Sequence, residues 1–519
     1  MQGCYIEIIT GKAYNSYTEF YMIESPILIP KDVTIDGLIK AMKAYSGASD
    51  LELVRLVYDF ADTAHKGQVR KSGEPYINHP LATAHILSSM RFELNIILAA
   101  LLHDVPEDTQ VTLEEIEKNF GNDVASMVKG ITKLGKLKYR GVERYIENLR
   151  KMFVAMAEDI RVMIIKFADR IHNLSTLESL PPKKRYRIAL ESLEIYSPIA
   201  NRLGMGEMKG WLEDLSFLYV HPKEYEKVDE LREKIMSGTG EYLDGVMNLV
   251  RGELKQNNIN FLNVHGRKKQ LYSLYQKLLR KGWDSEKIYD IVAVRVIVPD
   301  VGDCYAVLGI IHKLWKPLKG RIKDYIAQPK PNGYQSLHTT VFGPEGKSVE
   351  FQIRTKDMHE ESEFGVAAHW HFDERGNRLP AKDVQWAKEL AEMQKEILKN
   401  ISDLDALKVD FFKNRIFVFT PKGDVIDLPE DASPVDFAYH IHSEVGNKCN
   451  GVKINDQMVG LDTPLKSGDV VEIITDKNRK GPSPDWLKFA KTHVAKTRIK
   501  NNLNTNLKSW LKSFLPTKK

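Results

Sequence analysis

The stretch Leu102-His103-Asp104-Val105-Pro106-Glu107-Asp108-Thr109 puts one imidazole and three carboxylates within six residues. It closes the longest fully apolar run of the chain, Ile96 to Leu102. That run is far shorter than the roughly 20 residues that span a bilayer. Working outward, Arg70-Lys-Ser-Gly-Glu-Pro-Tyr-Ile-Asn-His79-Pro precedes it and Phe167-Ala-Asp169-Arg-Ile-His-Asn173 follows. Imidazole with carboxylate is a mixed nitrogen and oxygen donor set suited to a transition metal such as Mn²⁺, Fe²⁺ or Zn²⁺. A bound ion lowers the pKa of its water and supplies a nucleophile near neutral pH. The candidate ligands are His79, His103, Asp104 and Asp169. If the helix continues past His103, Glu107 lies on the metal-facing side, placed with Asp108 to orient or deprotonate the water. Pro106 disfavours a regular helix at that point and puts the placement of Glu107 in question. Arg70 and Lys71 suit phosphate and base contacts. Asn173, four residues after Asp169, shares its helix face. The competing reading is a set of polar groups satisfied inside a helical core. His65, His85 and His172 read as structural or as supports of the ligands.

The surroundings are helical. Residues from about 45 to 235 read as one helix after another, with Ile146, Leu149, Phe153 and Met156 at the spacing of a buried stripe. Ile160 to Leu174 is too apolar for a surface helix and belongs inside that helical domain. The whole chain has 519 residues, 43% of them hydrophobic and 28% charged, which excludes wholesale disorder and predicts about three domains. Cys4, Cys304 and Cys449 are too few and too scattered for a disulfide scaffold or a CxxC zinc site. The N-terminus lacks the basic and apolar regions of a signal peptide, so a cytoplasmic protein without a membrane span is the expectation.

Further on, β-branched runs replace the helical pattern. Ile291 to Val298 reads as a buried strand closed by Pro299-Asp300, and Ser348 to Arg354 alternates as a second. The segment His265 to Lys277 reads as a helix start with Lys269, Ser273 and Lys277 on one face, which suits a triphosphate or is a solvated basic face. Tyr289-Asp290 opens the first strand. Glu350, Gln352 and Arg354 share one face of the second. Two carboxylates on strands can hold Mg²⁺ while one acts as a base. Between them Gly320 to Thr340 is polar and rich in Pro and Gly, with Lys323, Lys330, Asn332, Tyr334 and His338, the parts needed to stack a base and grip phosphates.

A third unit follows a polar helical stretch from about 382 to 408. Arg415–Phe419, Pro421–Asp424, Val425–Leu428 and Val470–Ile474 give short strands around one helix near Pro434 to His442, the pattern of a β-grasp-like domain. From Lys477 to Lys519 the sequence carries a net charge of +11, against −6 for the rest. Such a segment suits a polyanion such as RNA, or is a solvated end.

These motifs together resemble the long RelA/SpoT homologues, bifunctional (p)ppGpp synthetase/hydrolases. The resemblance runs from about Ala44 to Trp486 through RKSGEPYINHP, LHDVPEDT, MAEDIRVMIIKFADRIHNL, IYDIVAVRVIV, GRIKDYIAQPKPNGYQSLHTTV and VEFQIRT. The third unit, with DVIDLP, AYHIHSEVG and LKSGDVVEI, resembles a TGS domain. The resemblance implies a multidomain α+β chain: an all-α HD-type metal phosphohydrolase domain (44–215), a helical linker (216–240), a mixed α/β nucleotidyltransferase-like synthetase domain (241–375), a second helical linker (376–410), a small β-grasp (TGS) domain (411–476) and a basic helical tail (477–519), after an N-terminal extension (1–43). It also implies a chain without the family's C-terminal regulatory domains.

The residue roles follow by resemblance. His79, His103, Asp104 and Asp169 would bind Mn²⁺, Glu107 and Asp108 would position water, and Arg70, Lys71 and Asn173 would hold the guanine nucleotide. Hydrolysis would release pyrophosphate from (p)ppGpp and return GDP or GTP. In the synthetase, Asp290 and Glu350 would serve Mg²⁺ and the 3′-hydroxyl, with Glu350 as general base. Arg267, Lys269, Ser273 and Lys277 would hold ATP. Lys323, Lys330, Asn332, Tyr334 and His338 would hold GDP or GTP, with Tyr334 stacked on guanine. The basic stretch Arg321-Ile-Lys323-Asp324 resembles the form found in bifunctional members, so both activities are expected, in mutual antagonism. His442 and the basic tail would touch tRNA or the ribosome. Two alternatives stay open: a hydrolase with a nucleotide-sensing pseudo-synthetase domain, and a non-catalytic ribosome- or tRNA-binding regulator.

Overall fold

The computed structural model describes residues 33–135, 159–237, 240–285, 292–330, 332–370 and 415–503, the last except 422–424, 467, 480 and 493, together with Met152, Ala155, Glu158 and Ile288. The stripe from Ile146 to Met156, Asp290 and the linker at 376–410 lie outside the described residues. The chain divides into two units, Met1–Ala391 and Glu392–Lys519. Among the described residues no helix is long and apolar enough to cross a membrane.

The first unit begins with helices. Asn78–Ser89, Leu94–Leu102 and Arg161–Ser175 are buried along most of their length, around Leu81, Leu87, Leu98, Leu101, Ile164 and Phe167. The seven apolar residues from Ile96 to Leu102 are all buried. Each of the larger ones contributes about 1.5–3 kcal/mol of burial free energy. That anchors the end of the helix, where His103 sits at the C-cap. The apolar Ile160–Leu174 segment is the inner helix that its composition predicts.

The helix does not continue into Glu107. It stops at His103, and a separate turn, Val105–Asp108, starts after Asp104 with Pro106 in its first two positions. Proline is tolerated there because the first amides of a helix have no intrahelical acceptor. The Asp104 carbonyl accepts from the amides of Glu107 (3.1 Å) and Asp108 (3.0 Å), so Pro106 helps to form the turn that carries both acids.

The second half of the unit is a five-stranded sheet: β1 (Asn263–Lys268), β2 (Val292–Val298), β3 (Pro317–Asp324), β4 (Leu337–Phe342) and β5 (Ser348–Thr355), in the order β1-β2-β5-β4-β3. Only β2 and β5 are parallel. One face packs Val294, Val296, Val298, Phe351 and Ile353 on the helices Gly240–Gln256 and Val301–Leu314. The Asp300 carboxylate caps the second helix, at 2.9 Å from the Asp303 amide. The opposite face is polar. His265, Arg295, Gln352, His338 and Lys323 stand in one row across all five strands, and Arg267, Ala293, Glu350 and Thr340 in the next. The segment expected to begin a helix at His265 is therefore first a strand. The helix runs Leu271–Arg280, and Lys269 lies in the turn before it.

The two halves touch closely. Gly204, at φ +73°, has its Cβ position only 3.1 Å from the Cα of Gly365, and a Cβ on Gly365 would collide with the Leu203 carbonyl. Only glycine fits both sides of that approach. Asp214, on the helix Gly206–Val220, accepts from the amides of Leu271 (3.1 Å) and Tyr272 (2.9 Å), capping the Leu271–Arg280 helix from the other half. Burial pushes the Asp214 carboxyl up to about 6.

The second unit holds β6 (Arg415–Phe419), β7 (Val425–Pro429), β8 (Cys449–Ile454), β9 (Gln457–Val459) and β10 (Val471–Thr475), with the helix Pro434–Ile441 packed on them. The expected strand at 421–424 does not appear at Pro421, which is a turn. The hairpin β8-β9 was not foreseen. The segment after Lys477 is no free appendage as far as 503: Trp486, Ala490, Ala495 and Ile499 pack with Val435, Ala438 and Tyr439. The buried carboxylate of Asp436 secures it, accepting from the amides of Lys491 (2.9 Å) and Thr492 (2.7 Å).

Candidate active sites

In the helical half the structure brings His79, His103 and Asp169 together, all buried, with one ligating atom of each within 4.8 Å of the others. His79 Nε2 lies 3.1 Å from Asp169 Oδ1 and 3.5 Å from Asp104 Oδ2, and His103 Nε2 lies 3.2 Å from Asp104 Oδ1. His103 Nδ1 faces the Ala100 carbonyl at 2.7 Å, which fixes its proton there and leaves the Nε2 lone pair for the site. That Nε2 is buried and has no hydrogen-bond partner among the described residues. An inward lone pair among carboxylates fits a cation. His79 Nδ1 meets His172 Nδ1 at 2.7 Å. Burial, His79 and Arg70 hold His172 well below the ordinary histidine range, so His172 accepts and orients the His79 ring. The supporting role expected of His172 has this contact behind it.

The carboxylates are ionised. Burial alone would raise Asp104, but His103 and His79 in their protonated form, together with Lys166, outweigh it and hold it below its usual value. Burial opposes Asp169 in the same way, and Lys166, 2.6 Å from Asp169 Oδ2, holds it well below. Glu107 is raised, by burial first, against the pull of Lys166.

A cavity of about 400 Å³ opens beside this cluster. Arg70, Lys71, Lys166, Arg170 and Lys184 give it positive charge, and Leu177, Leu180 and Ile188 give it an apolar wall. Asn173 lines it as well, accepting from Arg70 Nη2 at 3.0 Å while its amide donates to Asp169. Charge for phosphates beside an apolar wall for a base suits a nucleotide. Lys166, Arg170, Lys184 and Tyr76 were not singled out from the sequence. Lys166, three residues before Asp169 on one helix, was the most legible of them.

The polar face of the sheet forms the second site. Arg267 Nη1 donates to Gln352 Oε1 at 3.0 Å, Gln352 Nε2 to Glu350 Oε1 at 2.8 Å, and His338 Nδ1 lies 3.6 Å from the same Glu350 oxygen. The Tyr334 hydroxyl meets His338 Nε2 at 2.8 Å. The Lys330 ammonium lies over the rings of both Tyr325 (4.6 Å) and Tyr334 (4.7 Å). Cations crowd here. Burial, then Lys269, push Lys277 down to about 6; burial pushes Lys269 down to about 8, and burial with Lys323 and Arg267 pushes Lys330 to about 8. Lysines whose charge is so disfavoured by burial and by one another gain from an anion placed among them. Ser273 lies one turn before Lys277, partly buried. Asn332 donates to the Asn201 carbonyl of the helical half at 3.3 Å. Arg354, expected beside Glu350 and Gln352, is buried and bonded to Glu363 (2.8 Å), which also holds Arg295 at 3.2 Å. It pins the helix Lys356–Phe364 to the sheet.

In the second unit His442 is exposed at the N-cap of the turn Ser443–Lys448, accepting from the Glu444 amide at 3.2 Å.

Comparison with known proteins gives three family matches: an HD domain over residues 58–206, the "Region found in RelA / SpoT proteins" over 266–377, and a TGS domain over 416–475. A guanosine-3′,5′-bis(diphosphate) 3′-pyrophosphohydrolase of Aquifex aeolicus is 48% identical over 87% of this chain and 64% of its own length. A GTP pyrophosphokinase of Myxococcus xanthus is 45% identical over 88% of this chain and 61% of its own. The bifunctional (p)ppGpp synthase/hydrolase SpoT of Escherichia coli is 44% identical over 91% of this chain and 68% of its own. The chain spans about three fifths of the length of several curated relatives that it matches.

Proposed function

The chain belongs to the RelA/SpoT family, and from that premise we propose that it both makes and destroys (p)ppGpp. The observation that carries this is the pairing, in one unit, of a buried imidazole–carboxylate cluster opening on a basic cavity with a carboxylate, Glu350, ringed by cations. We propose the domain partition given above, with the segment after 477 counted with the TGS domain as far as 503. The protein works with its nucleotides in the cytoplasm.

In the hydrolase domain His79, His103, Asp104 and Asp169 would hold the metal, Mn²⁺ on this reading. Bound there, the ion supplies Lewis-acid charge and lowers the pKa of a water. The other roles fall to the chain. Glu107 and Asp108, on the turn that Pro106 starts, direct the water and take its proton. Arg70 and Lys71 grip phosphate, and Asn173 ties the nucleotide to the Asp169 helix. Pyrophosphate leaves and GDP or GTP remains.

In the synthetase domain Asp290 and Glu350 would serve Mg²⁺. Glu350 accepts the proton of the 3′-hydroxyl as pyrophosphate passes to it from ATP and AMP departs. Arg267, Lys269, Ser273 and Lys277 hold ATP. Lys323, Lys330, Asn332 and His338 hold GDP or GTP, and Tyr334 stacks on the guanine. Positioning and charge carry such a transfer. Asn332 supports antagonism between the domains, because guanine nucleotide and the helical half compete for one side-chain amide. The TGS domain, through His442, and the basic segment behind it would contact tRNA or the ribosome.

The test is a paired assay resolved by anion exchange. ATP, GDP and Mg²⁺ in one tube should give AMP and ppGpp; ppGpp and Mn²⁺ in the other should give GDP and pyrophosphate. Turnover in neither tube overturns the proposal, and turnover only in the second leaves a hydrolase alone.

A further inference from the structure

In the first site one hydroxyl serves two carboxylates. The Tyr76 hydroxyl lies 2.6 Å from Asp108 Oδ2 and 3.1 Å from Asp104 Oδ2. A phenol has a single proton and can donate it to only one of them at a time. The ring cannot drift from this position. It is stacked on His65 with centroids 4.7 Å apart and planes 18° apart. His65 Nδ1 is 2.9 Å from Gln68 Oε1, and Gln68 Nε2 donates to the Asp108 carbonyl at 2.6 Å. Tyr76, His65, Gln68 and Asp108 thus close a loop of contacts that returns to the same acid. Asp104, the other partner, stands between His79 and His103.

We propose that Tyr76 is the positioning residue that couples the metal ligand Asp104 to the water-directing acid Asp108, setting the spacing of the two through one shared proton. The proposal rests on the hydrolytic reading of this site. Without the hydroxyl, the two carboxylates lose the one donor that both of them reach. A tyrosine that only filled space would need its ring and not its oxygen.

The experiment compares Tyr76→Phe and Tyr76→Ala with the parent in the full chain. It measures Mn²⁺ affinity from the free-ion electron paramagnetic resonance signal, kcat and KM for ppGpp hydrolysis, and thermal unfolding. Partners one shell beyond a metal typically govern affinity or rate by about 10–100-fold. Tyr76→Phe should therefore weaken Mn²⁺ binding about tenfold and lower kcat by a similar factor, with KM within about twofold of the parent and unfolding unchanged. Tyr76→Ala should add a loss of stability from the vacated stack on His65. A Phe variant equal to the parent in both Mn²⁺ affinity and kcat overturns the proposal. If the parent itself hydrolyses no ppGpp, the reading of the site fails, while the Mn²⁺ titration still judges Tyr76 by itself.

Discussion

The two sites of the first unit are built on opposite electrostatic plans. In the helical site donors converge: His79, His103 and Asp169 offer ligating atoms within 4.8 Å of one another, Asp104 lies against both imidazoles, and both carboxylates are held below their usual pKa. On the sheet cations converge around a single described carboxylate, and three of their lysines are pushed toward neutrality. The donor set of the first suits a cation. The second is organised for the polyphosphate itself. The fold accounts for the difference. Buried helix ends can hold short, rigid ligands at one point, whereas a sheet face offers rows of side chains over the length of a nucleotide.

Chelation should separate the sites most sharply. Removing divalent metal should abolish ppGpp hydrolysis, by more than about 10³-fold, and added Mn²⁺ should restore it in the parent but not in Asp169→Ala. Recovery in that variant would break the contrast.

The cationic site should reveal itself by proton uptake. Lys277, at about 6, is largely neutral at pH 7.5 when the site is empty. A bound triphosphate raises its pKa, so ATP binding should take up protons, and affinity should fall as pH rises from 6 to 8. Calorimetry in buffers of different ionisation enthalpy measures this. Heats independent of buffer would contradict the assignment, and Lys277→Met should remove most of the uptake, leaving the smaller share of Lys269 and Lys330.

The contact between halves predicts a smaller effect. GDP with a non-hydrolysable ATP analogue should slow ppGpp hydrolysis severalfold, since an allosteric coupling is typically about 1–3 kcal/mol. Equal rates with and without them would end the antagonism. The second unit supplies a control that carries none of the residues assigned to either chemistry. Asp436→Ala leaves buried donors at Ser433, Lys491 and Thr492 unsatisfied. It should destabilise that unit by about 3 kcal/mol in denaturant while both activities of the first unit persist.

The helical site was more legible in the sequence than the sheet. His79, His103 and Asp169 are ligand types on strongly apolar helices, so pattern and chemistry agree. Pro106 reads correctly as a break in the helix; what the sequence did not show is that a second short helix starts there and carries both acids. β1 was missed because Asn263-Val-His-Gly-Arg-Lys268 is a polar strand at the sheet edge, and only its pairing with β2 makes it one. The hairpin β8-β9 left a usable trace: Asn455-Asp456 pairs two residue types that tolerate the left-handed region, and in the structure both have the positive φ of a two-residue turn. The fate of the basic segment was illegible. Its net charge of +11 hides the apolar Trp486, Ala490, Ala495 and Ile499, which reach their partners only through tertiary contact. Tyr76 lay within a quoted motif, but its importance depends on two acids about 30 residues away in the chain.

On this account one chain carries two opposed chemistries, each with its own set of catalytic residues. The direct measurement runs both nucleotide assays on His103→Ala and on Glu350→Gln. The account predicts that the first loses hydrolysis and keeps synthesis, and that the second loses synthesis and keeps hydrolysis. Loss of both reactions in either folded variant, or hydrolysis surviving without His103, would contradict it.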